Sequence, residues 1–335
     1  MSDAPGTPSS ASARTPSGQA AAAGSARPGG RPAFVATTGG HLVQLTHLAR
    51  LLEPARHEQG LWITHRTPQS ESMMAGRDVR FVPFVHARRV HEVLLGTPRL
   101  LAMLRREGVD TVYSTGAAVS LAALPLAPLV RTRPVFVESL ARADGPSMAG
   151  KVHQRLPWVQ RYTQYPANAG PRWRHEFSLL DTFALAEPVP TTPRRVLVSV
   201  GTARPWGFER MLRRVLEVLP PGADVLWQTG VTSTAGLELP GTVVASMSDE
   251  EFRTEIDRAD VVVSHAGVGT FVRCLEAGKA PVLVPRRAAH GEHVDDHQLQ
   301  IAGVAAARGL AVVREADELA PDDLLAAAAL RVVPA

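Results

Sequence analysis

Cysteine is nearly missing from this chain. The single residue, Cys274, excludes an intrachain disulfide and suits a reducing compartment, and its expected role is that of a small buried hydrophobe. Long apolar runs are missing too. The best stretch, 117–130, falls short of the roughly 18 residues a membrane-spanning helix requires, and Pro125 and Pro128 interrupt it. The first residues lack the apolar core of a secretory signal, so a cytoplasmic location is expected. Aromatic residues make up only 5% of the chain, which leaves Ala, Val and Leu to do most of the packing. Charge of one sign is not concentrated either. The 36 Lys and Arg exceed the acidic residues by only four and are dispersed, and no nucleic-acid-binding motif is present. That excludes nucleic acid as a partner and leaves a mild preference for anions such as nucleotide diphosphates or acidic lipid headgroups.

What is present is alternation. Residues 1–31 are rich in Ser, Ala, Gly and Pro and are expected to form a disordered tail. From there short apolar segments alternate with amphipathic ones: strands near Phe34, Leu61, Val79, Thr111 and Val135, and helices after Gly40 and Val90. The Pro-rich segment 187–194 is expected to link two domains, 32–186 and 195–335. Beyond it the alternation resumes, with strands at 195–200, 225–228, 260–264 and 280–284. The expected fold is α/β, two Rossmann-like, doubly wound parallel sheets facing a cleft.

Three glycine-bearing turns stand where a strand passes into a helix: Gly39-Gly40-His41, Gly201-Thr202, and His265-Ala266-Gly267-Val268-Gly269-Thr270. Glycine lets the backbone approach a ligand, and the helix N-terminus behind it offers free N–H groups to a phosphate. None matches a dinucleotide or P-loop pattern. Residues 290–297 hold three His and three acids. A metal site is one reading of this group, but without an H-E-x-x-H pattern we expect no metal, and its polar side chains suit sugar hydroxyls equally well. A basic segment at 85–106 sets Arg88, Arg89, Arg99, Arg105 and Arg106 among leucines. It reads as a surface helix or as peripheral contact with the inner face of the cell membrane.

Asp260 to Gly269, followed by Glu292-His293-Val294-Asp295-Asp296-His297-Gln298, resembles the glycosyltransferase family 28 C-terminal domain. Gly39-Gly40-His41, Ser114-Thr115-Gly116, Val137 to Arg142 and Gln164-Tyr165-Pro166 resemble the membrane-recruiting partner of the eukaryotic transferase that adds the second N-acetylglucosamine to dolichol pyrophosphate. Together the two resemblances cover residues 32 to about 315. They imply a GT-B fold and inverting transfer from a UDP-sugar to a polyprenyl-linked acceptor, with no bound cofactor. Implied diphosphate contacts are Gly201, Thr202, His265, Gly267, Val268, Gly269 and Thr270. Glu276, Glu292, His293, Asp296 and Gln298 are implied for the sugar and ribose. Gly39, Gly40, Glu138 and Arg142 would face the acceptor, with His41 as general base or acceptor-phosphate ligand. One position departs from the family: Arg273 stands where a ribose-binding carboxylate is usual. Alternative readings are a natural-product glycosyltransferase, a non-hydrolysing UDP-sugar 2-epimerase and a non-catalytic recruiting subunit.

Overall fold

The computed structural model describes residues 29–84, 90–202 and 204–335. Most of the expected tail, together with Arg88 and Arg89 of the basic segment, lies outside them. The first half runs β1 (Arg31–Val35), α1 (Gly40–Leu52), β2 (Leu61–His65), α2 (Pro68–Met73), β3 (Val79–Val82), α3 (Val90–Arg106), β4 (Val109–Ser114), α4 (Ala118–Ala123), β5 (Arg133–Val137), α5 (Met148–His153) and β6 (Gln160–Tyr162), and ends on β7 (Phe183–Ala186). The second half runs β8 (Arg195–Ser199), α6 (Glu209–Val218), β9 (Asp224–Gln228), β10 (Thr242–Val244), α7 (Asp249–Arg258), β11 (Val261–His265), α8 (Val268–Glu276), β12 (Val282–Val284), α9 (His297–Ala307), β13 (Val312–Val313), α10 (Pro321–Ala329) and β14 (Arg331–Pro334).

Each half forms a six-stranded sheet, ordered β3-β2-β1-β4-β5-β6 and β10-β9-β8-β11-β12-β13, with every pair parallel. The central strands read as near-continuous buried runs, such as Val196-Leu197-Val198-Ser199. That is the pattern of a parallel sheet covered by helices on both faces. In each sheet the strand order reverses direction between the first and fourth strands, and ligands of open α/β sheets bind at the carboxyl ends beside that point. The turns at Gly39 and Thr115 leave β1 and β4, and those at Gly201 and Gly267 leave β8 and β11. All four therefore stand at switch points.

The two halves meet along helices. α1 lies along α8, and Leu42, Leu45 and Leu48 share one buried cluster with Val268, Phe271, Val272 and Leu275. At one end the backbones of Gly40 and Gly269 touch: a Cβ added at Gly40 would lie 3.2 Å from the Gly269 amide nitrogen. Further along both helices His47 Nε2 meets Glu276 Oε1 at 2.5 Å. Both helices therefore run in the same direction with their N-termini together. β14 returns to pair antiparallel with β7, tying the last strand to the first half. This strand pair was not expected, because each partner is only four residues long and carries no alternation that distinguishes it from loop.

Candidate functional site

The paired N-termini of α1 and α8 define the site. Two parallel helix dipoles side by side repel one another, and their first-turn N–H groups lack intrahelical acceptors. Some other helices of this chain answer that need locally, although α4, α6 and α9 have no side-chain cap. α7 has a Ser248/Glu251 capping box and three acidic residues in its first turn, and Thr67 caps α2. α1 and α8 have glycine at the N-cap, no side-chain cap and no acid in the first turn. The result is a shared site of uncapped first-turn N–H groups and positive potential, suited to an anion.

His41 sits in the first turn of α1, against Gly116, and its Nδ1 is buried with no hydrogen-bond partner. Burial lowers its pKa to about 4 despite the opposing effect of the Thr115 backbone, with His297 and Arg142 lowering it further. At neutral pH it is an uncharged ring. His265, at the end of β11, lies between two glycines. A Cβ at Gly201 would be 2.5 Å from its ring, and one at Gly267 2.2 Å. Gly201 also has a φ of +77°, so a side chain there would be both strained and in collision. His265 Nδ1 lies 3.4 Å from the Ser199 carbonyl, and burial together with Arg286 lowers its pKa to about 3. A neutral ring that donates from Nδ1 to a carbonyl offers only a lone pair at Nε2. His265 is thus poorly placed to donate to a phosphate, and the backbone of the 267–270 turn, with buried Thr270, is the better anion ligand.

Several carboxylates and amides expected in this site are committed elsewhere. Glu292 is buried and accepts from Arg210 Nε at 3.0 Å, Arg210 Nη2 at 3.2 Å and the Arg287 backbone N–H at 2.9 Å. Gln298 accepts from the Arg286 backbone N–H at 3.0 Å. Glu138 is buried, and its Oε2 accepts from the backbone N–H and hydroxyl of Ser147. That bond closes the 138–147 loop, while burial raises its carboxyl pKa. Glu276 lies seven positions past Gly269, roughly 10 Å along the helix. Burial works against its ionisation, but His47 and Arg273 hold its pKa down to about 2. The departure at Arg273 is a buried cation bonded to both oxygens of Asp249 at 2.8 and 2.9 Å and to Glu276 at 2.7 Å. It closes a structural network.

Other expected residues do converge. Arg142, carried on the 138–147 loop, donates from Nη2 to Asp295 Oδ2 at 3.1 Å across the domain contact. Asp295 Oδ1 receives the His297 ring and faces His293 Nδ1 at 3.8 Å. His293 stacks on Trp206, with ring centres 5.1 Å apart. Asp296 accepts from the Ala288 N–H at 2.7 Å. Arg142, Asp295, Asp296 and His297 line a cavity of about 350 Å3 between the halves. Ligand atoms of His293, Asp295 and His297 lie within 4.8 Å of one another. Both Asp295 oxygens already serve His297 and Arg142, and we assign no metal there.

The sequence assigns Arg286 no role, and it offers Asp295 only for sugar hydroxyls and His297 only within the metal-site reading. Arg286 is 1% exposed and has no carboxylate partner among the described residues. It donates to the carbonyls of Val200, Trp206, Gly207 and Glu292. The signal available was its position, directly after β12 and inside the polar stretch 285–298.

Two facing, doubly wound domains with their switch points turned to a shared cleft define the GT-B class of glycosyltransferase folds. Solved structures with this fold include MurG of Acinetobacter baumannii, at 19% identity and TM-score 0.51, covering 88% of this chain and 89% of that one. Another is the glycosyltransferase SnogD from Streptomyces nogalater, at 20% identity and TM-score 0.54, covering 88% and 90%. Residues 196–328, most of the second half, match the glycosyltransferase family 28 C-terminal domain. A curated relative from Chlorobium phaeobacteroides is 27% identical over 245 residues, taking in 65% of this chain and 63% of its own length. It is named UDP-N-acetylglucosamine--N-acetylmuramyl-(pentapeptide) pyrophosphoryl-undecaprenol N-acetylglucosamine transferase. The chain spans about three fifths of the length of the curated relatives it matches.

Proposed function

We propose that this protein is an inverting glycosyltransferase that moves a sugar, N-acetylglucosamine in the first instance, from a UDP-sugar to an acceptor on a polyprenyl diphosphate. The observation that carries the reading is the pair of uncapped helix N-termini meeting at Gly40 and Gly269. They supply first-turn N–H groups with no side-chain cap and positive potential for a diphosphate, side by side at one point of the cleft. In this reading residues 195–335 hold the donor, with the 267–270 backbone and Thr270 on the diphosphate and Asp296 and His293 toward the sugar. Residues 32–186 face the acceptor, with neutral His41 as a ligand to its phosphate. The names of the curated relatives support both the donor and the lipid-linked acceptor.

The test is transfer from labelled UDP-N-acetylglucosamine to a polyprenyl-diphosphate-linked sugar. Label in the lipid product is expected, and His41→Ala should lower turnover while leaving UDP binding intact. Product-free incubation with UDP bound would mean that the donor site is right and the acceptor wrong.

We propose as well that the acceptor is reached by peripheral attachment. No helix of the described residues is long and apolar enough to cross a membrane. On the first half, α3, the 127–130 turn, α5 and the loop after α5 expose Leu94, Leu95, Leu129, Met148 and Trp158. Arg99, Arg131, Lys151 and Arg155, on or next to the same segments, are exposed as well. Exposed apolar side chains with cations on the same segments suit an anionic bilayer. Leu94→Asp with Leu95→Asp should weaken co-sedimentation with phosphatidylglycerol vesicles by about tenfold or more. Unchanged sedimentation would remove these side chains from the account.

A further inference from the structure

The Asp295 carboxylate joins the two halves at one point. Its Oδ1 receives the His297 ring Nδ1 and, at 3.4 Å, the His297 backbone N–H. Its Oδ2 receives Arg142 from the opposite domain. Burial opposes ionisation here, but His297 and Arg142 hold the Asp295 pKa down to about 2, so the carboxylate stays charged. A carboxylate on Nδ1 fixes an imidazole in the tautomer whose lone pair is on Nε2. Among the described residues no protein group hydrogen-bonds to that nitrogen, and the ring lines the interdomain cavity. His297 therefore meets the geometric requirements of an oriented base: a free ring nitrogen in a cleft, with a third group behind it.

We propose that His297 is the general base of the transfer, oriented by Asp295 as a positioning residue that Arg142 holds in place from the opposite domain. This rests on the transferase reading above. The acceptor hydroxyl oxygen attacks the anomeric carbon, and the bond from that carbon to the β-phosphate oxygen breaks. The electron pair leaves with UDP. The hydroxyl proton passes to His297 Nε2, and the imidazolium formed is paired with Asp295. The groups that face His297 are His41 from α1, His265 from β11, Arg142 from the 138–147 loop, and His293 and Asp295 from its own loop. His41 has no such carboxylate among the described residues, and burial lowers its pKa to about 4, below the range in which a general base works best. Arg142 adds a consequence: Asp295 is held from both sides only while the halves are in contact.

The experiment uses the full chain with UDP-N-acetylglucosamine and water as acceptor, following UDP release over about pH 5–9. His297→Gln should lower kcat by about 100-fold or more while UDP affinity stays within about threefold. Asp295→Asn should lower kcat by about 10- to 100-fold and shift the acidic limb of the kcat profile, a change that loss of packing alone would not give. Wild-type kcat in folded His297→Gln at every pH overturns the proposal. Imidazole nitrogen NMR of the resting protein tests it without turnover. The Nδ1–H tautomer at His297, lost in Asp295→Asn, is expected, and the opposite tautomer in the wild type overturns it. A wild-type chain that binds no UDP brings down the transferase reading instead, and this assignment with it.

Discussion

Arg286→Met protein melts roughly 10 °C below the wild type, a loss of about 3–5 kcal/mol. Methionine replaces the apolar stem and leaves the carbonyls of Val200, Trp206, Gly207 and Glu292 without their donor. A buried acceptor deprived of its partner costs about 1–3 kcal/mol, part of which loop relaxation recovers. Those carbonyls belong to two loops, one after β8 and one after β12, which carry Gly201 and the Trp206–His293 stack. Loss of the guanidinium should therefore loosen the cleft wall as well as the fold, and UDP affinity should fall with the melting temperature. Arg286→Lys should recover little, because one ammonium cannot reproduce a planar fork that serves four carbonyls. A melting temperature within about one degree of wild type would sink this assignment.

Gly269→Val weakens UDP binding by at least about tenfold, near 1.4 kcal/mol. Within a helix, glycine is the costly choice by about 1 kcal/mol relative to alanine, so propensity alone predicts a gain from any side chain at this position. The contact predicts the opposite. Even a bare Cβ at Gly269 would lie 3.2 Å from the Gly40 Cα and 3.4 Å from the Gly40 nitrogen. Backbone cannot rotate away as a flexible side chain can, so the valine methyls force α1 and α8 apart. Separating them splits the shared anion site and also opens the Arg142–Asp295 contact. The sign of the stability change discriminates between the two effects: a more stable, UDP-competent Gly269→Val protein would mean that the helices do not meet as described.

The sequence made some of this legible and hid the rest for physical reasons. Strand positions in both halves were readable because parallel strands buried on both faces write themselves as short apolar runs, as at Val196–Val198 and Val261–Val263. The glycine turns were readable because close backbone approach and positive φ demand glycine. The pairing of β7 with β14 was not, since it depends on a chain reversal across about 150 residues and on strands four residues long. In the site, a motif gives residue types but not their partners. Glu292 and Gln298 stand in the right segment, yet Arg210 and the Arg286 backbone claim them. Glu138 was expected to face a ligand and instead closes its own loop. Asp295 and His297 lay in the quoted motif, but only the fold brings Arg142 to Asp295 from a segment 153 residues away. Arg273 departed from the family pattern in the sequence, and its explanation, a buried pair with Asp249, is entirely tertiary.

The measurement that tests the central claim most directly is calorimetric titration of the full chain with UDP and, in parallel, with uridine. On the proposed reading, two helix N-termini acting on the diphosphate supply most of the binding energy. UDP should bind and stabilise the protein, while uridine, which lacks the phosphates, should bind at least about 100-fold more weakly, near 2.7 kcal/mol. Equal affinity for the two, or no heat with UDP, would contradict it: the uncapped N-termini of α1 and α8 would then be a feature of packing and not a diphosphate site.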